Sequence, residues 1–248
     1  MISNVFHAIV YEPLYNGLVF LIDLIPTHNV GLAVIALTIV VRLILYPSTR
    51  NAIISQMKLK ELQPEIEDIN KTHKDNKEEK ARKTLELYRS KKVNPFAPIF
   101  PLFFQLPIVI TLYYIFASSG LPVINHDLLY SFVHFPEIVS TNFFSLFDIT
   151  EKSWPVAVVA GLSQFVQAYV YRRRTDVKAL RKPSGTSFQA DFERSMNVQM
   201  QYVFPILIIF FAHSFSAAIA LYWTTTNLFS IMQELITHRP KNPNFTNR

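Results

Sequence analysis

Val30-Gly-Leu-Ala-Val-Ile-Ala-Leu-Thr-Ile-Val-Val-Arg42-Leu-Ile-Leu-Tyr46 decides how this chain is read. Every neighbour of Arg42 suits lipid, and a run of this length reads as a transmembrane helix. A guanidinium inside such a helix costs roughly 2.5–3.5 kcal/mol near the bilayer centre. A charge kept at that cost faces water, a carboxylate or a cavity, or else it snorkels to the interface. Arg42 lies roughly 18–20 Å along the helix from Val30, past the midplane, so a snorkel would be long. Arg42 is therefore a candidate functional residue before anything else is considered.

The rest of the chain fits that reading. Half of the 248 residues are apolar and 17% are charged, with 21 Phe and 11 Tyr. The charges are segregated, as expected of a polytopic membrane protein and not of a soluble domain. With no cysteine, disulfides and thiolate chemistry are excluded. No Lys or Arg precedes Arg42, so a cleaved signal peptide with a basic start is not expected.

Five apolar stretches are expected to span, near Val30–Tyr46, Phe96–Phe116, Trp154–Tyr171, Tyr202–Phe215 and Ala217–Ile236. The fourth is expected to start earlier, near Met196. The last two nearly touch and predict a tight helical hairpin. Lys and Arg are absent from residues 1–41 and number one in 118–153, against twelve in 50–95, seven in 172–194 and three after Ile236. The positive-inside rule then places the N-terminus outside and the C-terminus in the cytoplasm, and five spans agree with that parity. The fold class predicted is all-α: a five-helix membrane bundle forming one domain over residues 1–248.

Two segments lie outside the spans. Tyr11–Ile25, within the outer segment 1–28, is apolar but interrupted by Pro13, Gly17 and Asp23; it predicts an amphipathic helix on the outer interface in preference to a sixth span. In the cytoplasmic segment 50–95, Leu59, Leu62, Ile66 and Ile69 recur at helical spacing, as do Ala81, Leu85 and Tyr88. They predict an antiparallel helical hairpin turning at Lys71–Asn76, with Asp75 and Glu78 as a capping box for the second helix. Pro64 marks a kink or a late start in the first. Residues 118–153 receive no role, and 237–248 form a short cytoplasmic tail.

Catalysis is tested by elimination. No Gly-x-Ser-x-Gly elbow surrounds Ser214 or Ser216, no His-Glu-x-x-His exists, and the seven histidines lack ligand spacing. Five glycines build no phosphate loop. An enzyme, a metal and a nucleotide cofactor are not expected. What remains is a set of neutral polar residues in the spans: Thr38 one turn before Arg42, Gln105 between Pro101 and Pro107, Gln164 and Gln167 on one face, and Thr224 to Asn227. Singly these read as hydrogen-bonding glue between helices, worth about 1 kcal/mol or less each. Together with an arginine they read as a hydrated cavity. Glu234 is the one acid within a span, and an Arg42–Glu234 pair is the rival account.

Val93-Asn-Pro95, Phe100-Pro101, Gln105, Pro107-Ile108 and Tyr113-Tyr114 resemble the pattern of the YidC/Oxa/Alb membrane protein insertase family. Val41-Arg42-Leu-Ile-Leu-Tyr-Pro47, with Thr38 before it, is similar to the segment bearing that family's groove arginine. Gln63-Pro64 and Leu221-Tyr-Trp-Thr-Thr-Thr-Asn227 are similar as well, and the blocks run in order over most of the chain. The resemblance implies a bacterial plasma-membrane insertase with a hydrophilic groove open to the cytoplasm and to lipid. Its substrate-groove residues would be Arg42, Thr38, Gln105, Tyr222 and Asn227. Its partners would be hydrophobic segments of nascent membrane proteins, the lipid bilayer, the ribosome and the general secretion channel, with no specific nucleic acid. No nucleotide hydrolysis is implied. An extra N-terminal span and large periplasmic domain of some relatives have no counterpart here, and the short tail weakens ribosome docking through it. The competing readings are a channel or secondary transporter using Arg42 as an anion site, and a scaffold that assembles partners.

Overall fold

The protein is described by a computed structural model covering residues 5–74, 76–97, 100–117, 125–175 and 199–237. The C-terminal tail beyond 237 and most of the basic segment 172–194 lie outside the described residues. A π-helical turn, His7–Tyr11, leads into α1 (Glu12–Leu24), followed by α2 (Val30–Ile44), α3 (Tyr46–Glu61), α4 (Gln63–Thr72), α5 (Lys77–Ser90) and α6 (Phe100–Ala117). A loop with a 3-10 turn and a two-stranded ribbon, β1 (Asn142–Phe143) and β2 (Phe147–Asp148), precedes α7 (Trp154–Thr175), a π-helical turn (Gln199–Val203), α8 (Phe204–Ser214) and α9 (Ala217–Ile236). The architecture is all-α, as expected.

Why each helix begins and ends is local chemistry. Asn29 caps α2 by accepting from the Leu32 amide at 3.1 Å. Pro47 ends the run that carries Arg42: it has no N–H to give the preceding turn, so the chain bends by 64° between Val30–Ile44 and Tyr46–Leu59. Pro64 sits in the first turn of α4, where a missing N–H costs nothing, so it restarts the helix after Leu62 and does not kink it. The cap of α5 is Asn76, which accepts from the Glu79 amide at 3.0 Å; Asp75 lies outside the described residues.

The expected hairpin is α4 and α5, closed by Leu62, Ile66 and Val93 with Leu59, Leu87 and Tyr88. A Lys91–Glu65 ion pair at 3.0 Å joins the end of α5 to the start of α4, which makes the pair antiparallel. α1 forms where the sequence places it, but Tyr15, Leu18, Val19 and Ile22 are fully buried against α2, α6 and α9. Pro13 lies harmlessly in its first turn, and Gly17 leaves room for Leu37 of α2.

α8 and α9 follow one another across Phe215 and Ser216, as the short connection demands, yet each lies mainly along α7. Gly161 makes that possible on α7, since a Cβ there would meet the side chain of Ile209 and stand 2.9 Å from the Pro205 carbonyl. Among the described residues no single helix is both long and apolar enough to cross a membrane alone; the bent pair α2–α3 is, taken together. At 1.5 Å per residue α2 is about 22 Å long and α8 about 16 Å, short of a hydrocarbon core of about 30 Å.

Residues 125–153 are an integral part of the bundle. The Asn16 amide donates to the Leu128 carbonyl and its oxygen accepts from the Tyr130 amide, at 2.8 and 2.7 Å. Ser140 bridges the entry to α2 through the Val30 amide and the His28 carbonyl, both at 3.0 Å. Glu151 and Ile149 carbonyls accept from the first free amides of α9, those of Ala217 and Ala218, at 2.7 and 3.0 Å. Val133 and Ile149 are buried in the same core as α1, α2, α6 and α9.

Candidate functional site

α2, α6 and α9 converge on Arg42. It sits three turns into α2, half-buried, and its guanidinium donates to Gln105 Oε1 of α6 at 3.0 Å. Tyr222 of α9 is 3% exposed and lies within electrostatic reach of Arg42, Gln105 and Thr226. Three polar atoms here are sealed from solvent and lie close to one another, yet make no well-formed hydrogen bond among the described residues: Gln105 Nε2, Tyr222 Oη and Thr226 Oγ1. Tyr222 and Thr226 are one turn apart, so α9 presents both to the same side. Pro107 lies inside α6 two residues beyond Gln105, and without its N–H the turn that holds Gln105 lacks one backbone bond.

Among the described residues no carboxylate pairs with Arg42. Glu234 is buried near Tyr171 of α7, so the Arg42–Glu234 pair does not form. A guanidinium beside a neutral amide and a phenol keeps its positive charge uncompensated among the described residues, next to a cluster with unused hydrogen-bonding capacity. Chemically that arrangement attracts a polar or anionic guest. It offers no nucleophile beside a base, and among the described residues no group of His, Asp or Glu is placed to hold a metal ion.

The structure brings Arg42, Gln105 and Tyr222 together; Thr38 stands one turn before Arg42 with its hydroxyl turned to its own helix, and Asn227 faces another helix. Thr38 is buried and its hydroxyl donates to the Val34 carbonyl at 2.6 Å, one turn back along its own helix. Asn227 is turned toward α7, where its amide donates to Ser163 Oγ at 2.9 Å; Ser163 in turn donates to the Ala160 carbonyl at 2.7 Å. Gln164 and Gln167 bond each other along α7 at 3.2 Å. Thr226 joins this cluster too; within its run of threonines the signal that marks it is its place four residues from Tyr222, one turn along α9. Ser163, Thr49 and Gln233 carry no pattern that would have marked them.

Residues 21–244 match the model of the 60Kd inner membrane protein family. A Clostridium tetani protein named membrane protein insertase YidC is 28% identical over 223 residues, which are 90% of this chain and 88% of that relative. An Oceanobacillus iheyensis protein of the same name is 32% identical over 215 residues, 85% of this chain and 75% of the relative. A longer Francisella tularensis protein of that name is 29% identical over 214 residues, a match covering 33% of its length. The arginine-bearing helix, the proline-marked α6 and the polar α9 all fall within the matched region, and the chain belongs to the 60Kd inner membrane protein family, the YidC/Oxa/Alb family its motifs resemble.

Proposed function

We propose that this chain is a membrane protein insertase of a bacterial plasma membrane, and that Arg42 holds the polar flank of an incoming hydrophobic segment while the segment partitions into lipid. The observation that carries the reading is an arginine that pairs with no carboxylate among the described residues, set beside buried polar atoms of Gln105, Tyr222 and Thr226 that make no well-formed hydrogen bond there. The names of the relatives support the activity. The barrier to insertion is the transfer of backbone and side-chain polar groups through hydrocarbon, and a polar pocket partway across shortens that passage. The driving force is burial of apolar surface, with the membrane potential adding to it for acidic flanks moving outward. No nucleotide enters the scheme.

In this reading α2, α6, α7, α8 with its preceding turn, and α9 are the five spans, with the N-terminus outside. Gln105 and Tyr222 line the groove with Arg42; Thr38 and Asn227 shape its walls from one layer back. The hairpin α4–α5 receives the substrate on the cytoplasmic side, and the basic segments face the ribosome or the secretion channel.

The test is reconstitution of the purified chain in liposomes with a single-span substrate bearing an acidic outer flank. Arg42→Ala is expected to slow insertion about five-fold or more, the equivalent of roughly 1 kcal/mol in the barrier, while Arg42→Lys retains most of the rate. Equal loss in both variants together with loss of folded protein would make Arg42 structural. Solute or ion flux without insertion would replace this reading with a channel or transporter.

A further inference from the structure

α4 and α5 pack chiefly on each other and on α3, and α3 also lies against α6, so the angle of the hairpin over the bundle is set by α3, at that contact and at its root. That root follows a one-residue break at Leu45, where Pro47 has removed the backbone bond that would stiffen the joint. A joint of this kind is a hinge unless side chains fix it.

One side chain reaches it from the far end of the sequence. Gln233, in the last turn of α9 and 2% exposed, donates through Nε2 to Thr49 Oγ1 at 2.8 Å and to the Tyr46 carbonyl at 3.2 Å. Thr49 is itself buried, and its single hydroxyl proton faces three acceptors at 3.1 Å: the Leu45 carbonyl, the Tyr46 carbonyl and Gln233 Oε1. The hydroxyl can therefore accept from Gln233 and still donate to the residues that straddle the break. The amide spans both sides of the first turn of α3 in a setting sealed from water, where no solvent competes for these bonds.

α9 is the helix that also carries Tyr222 and Thr226 to the Arg42 cluster. We propose that Gln233 and Thr49 form a latch that fixes the angle of the α4–α5 hairpin relative to α9, and with it the position of the hairpin over the Arg42 site. Gln233 and Thr49 are positioning residues: neither touches the Arg42 cluster. The mechanical part of this inference stands on the geometry alone, and its bearing on substrate delivery rests on the proposed function.

The chain has no cysteine, so two introduced ones carry all the label. Spin labels at Glu78→Cys on α5 and Asp127→Cys on the loop before β1, both exposed, report the hairpin angle in lipid nanodiscs. With the native latch a single narrow distance distribution is expected. Thr49→Val, which keeps the shape and loses the hydroxyl, and Gln233→Leu are each expected to broaden it and move its mean by roughly 5 Å or more, as when a helix about 24 Å long swings through a modest angle. Thr49→Ser should restore the narrow distribution. An unchanged distribution in Thr49→Val and Gln233→Leu overturns the latch, as does a lowered melting temperature with the distances unmoved, which would make the pair ordinary glue. Because the readout is a distance and not insertion, its failure is separable from failure of the proposed function.

Discussion

A single carboxylate holds the ribbon before α7 in shape. Asp148 accepts from Thr141 Oγ1 at 2.6 Å on one oxygen and from the Thr150 amide and hydroxyl at 2.8 and 2.6 Å on the other. Burial raises its pKa, but the three donors together outweigh that and hold it below its ordinary 3.8. A carboxyl depressed in the folded state contributes stability that is complete above the ordinary value and lost as pH falls through the folded one. The protection of the amides over 140–150, taken relative to the intrinsic exchange rate at each pH, is expected to be high at neutral pH and to fall progressively below about pH 4, as the carboxylate takes up its proton. Asp148→Asn should remove most of that pH dependence; an identical profile in the variant would assign the protection to the backbone ladder. The same scale explains what the sequence could not disclose about the Arg42 cluster. Gln105 is visible as an amide between two prolines, but its pairing with a residue 63 positions away is set by the crossing of α2 and α6. Asn227 reads as an equal candidate in sequence, and only its rotation about the axis of α9 sends it to Ser163 instead.

At the scale of elements, contact between α7 and α8 depends on Gly161. A methyl group there meets the Ile209 side chain and the Pro205 carbonyl, and the carbonyl belongs to backbone that cannot step aside. Gly161→Ala is expected to destabilise the bundle by about 1–3 kcal/mol through overpacking, outweighing the gain in helix propensity. Thermal unfolding in detergent checks it, and a raised melting temperature would show that the two helices separate freely. Helix existence was legible because apolar runs and their period survive in one dimension: α2, α6, α7 and α9 lie where their hydropathy places them. The start expected for the fourth span near Met196 lies outside the described residues; within them a π-helical turn, Gln199–Val203, leads into α8 at Phe204. The β1–β2 ribbon was not legible at all. Its turn places Phe144 and Ser145 at φ 49° and 58°, a type of turn usually announced by Asn-Gly, and neither residue signals it. Asn29 was readable as a cap in principle, standing just before an apolar helix, and Asn16 was not, since its partners lie on a loop without pattern.

At the scale of the molecule, the three apolar cores among the described residues are distributed unevenly. Two belong to the bundle and share Trp223 at their border; the third is the hairpin's own. Ile66, 8% exposed, is the centre of that small core with Leu62 and Val93. Ile66→Ala is expected to cost about 2–4 kcal/mol locally, enough to open the hairpin to limited proteolysis between Lys71 and Lys92, while thermal unfolding of the bundle stays within a degree or two of the parent. Coincident loss of both would mean that hairpin and bundle unfold as one unit. The other end of the molecule behaves differently. The loop 125–153 binds backbone to backbone with the first turns of α2 and α9, so those two helices are tethered to a common anchor at their N-termini. From that anchor to Arg42 is about 18 Å of helix, and a splay of a few degrees opens the interior there by about 1–2 Å while the anchored end barely moves. α2 and α9 are thus clasped twice, at the crown by this loop and at the far end where Gln233 holds Thr49, so the widest play between them falls in the middle, around Arg42 and Tyr222.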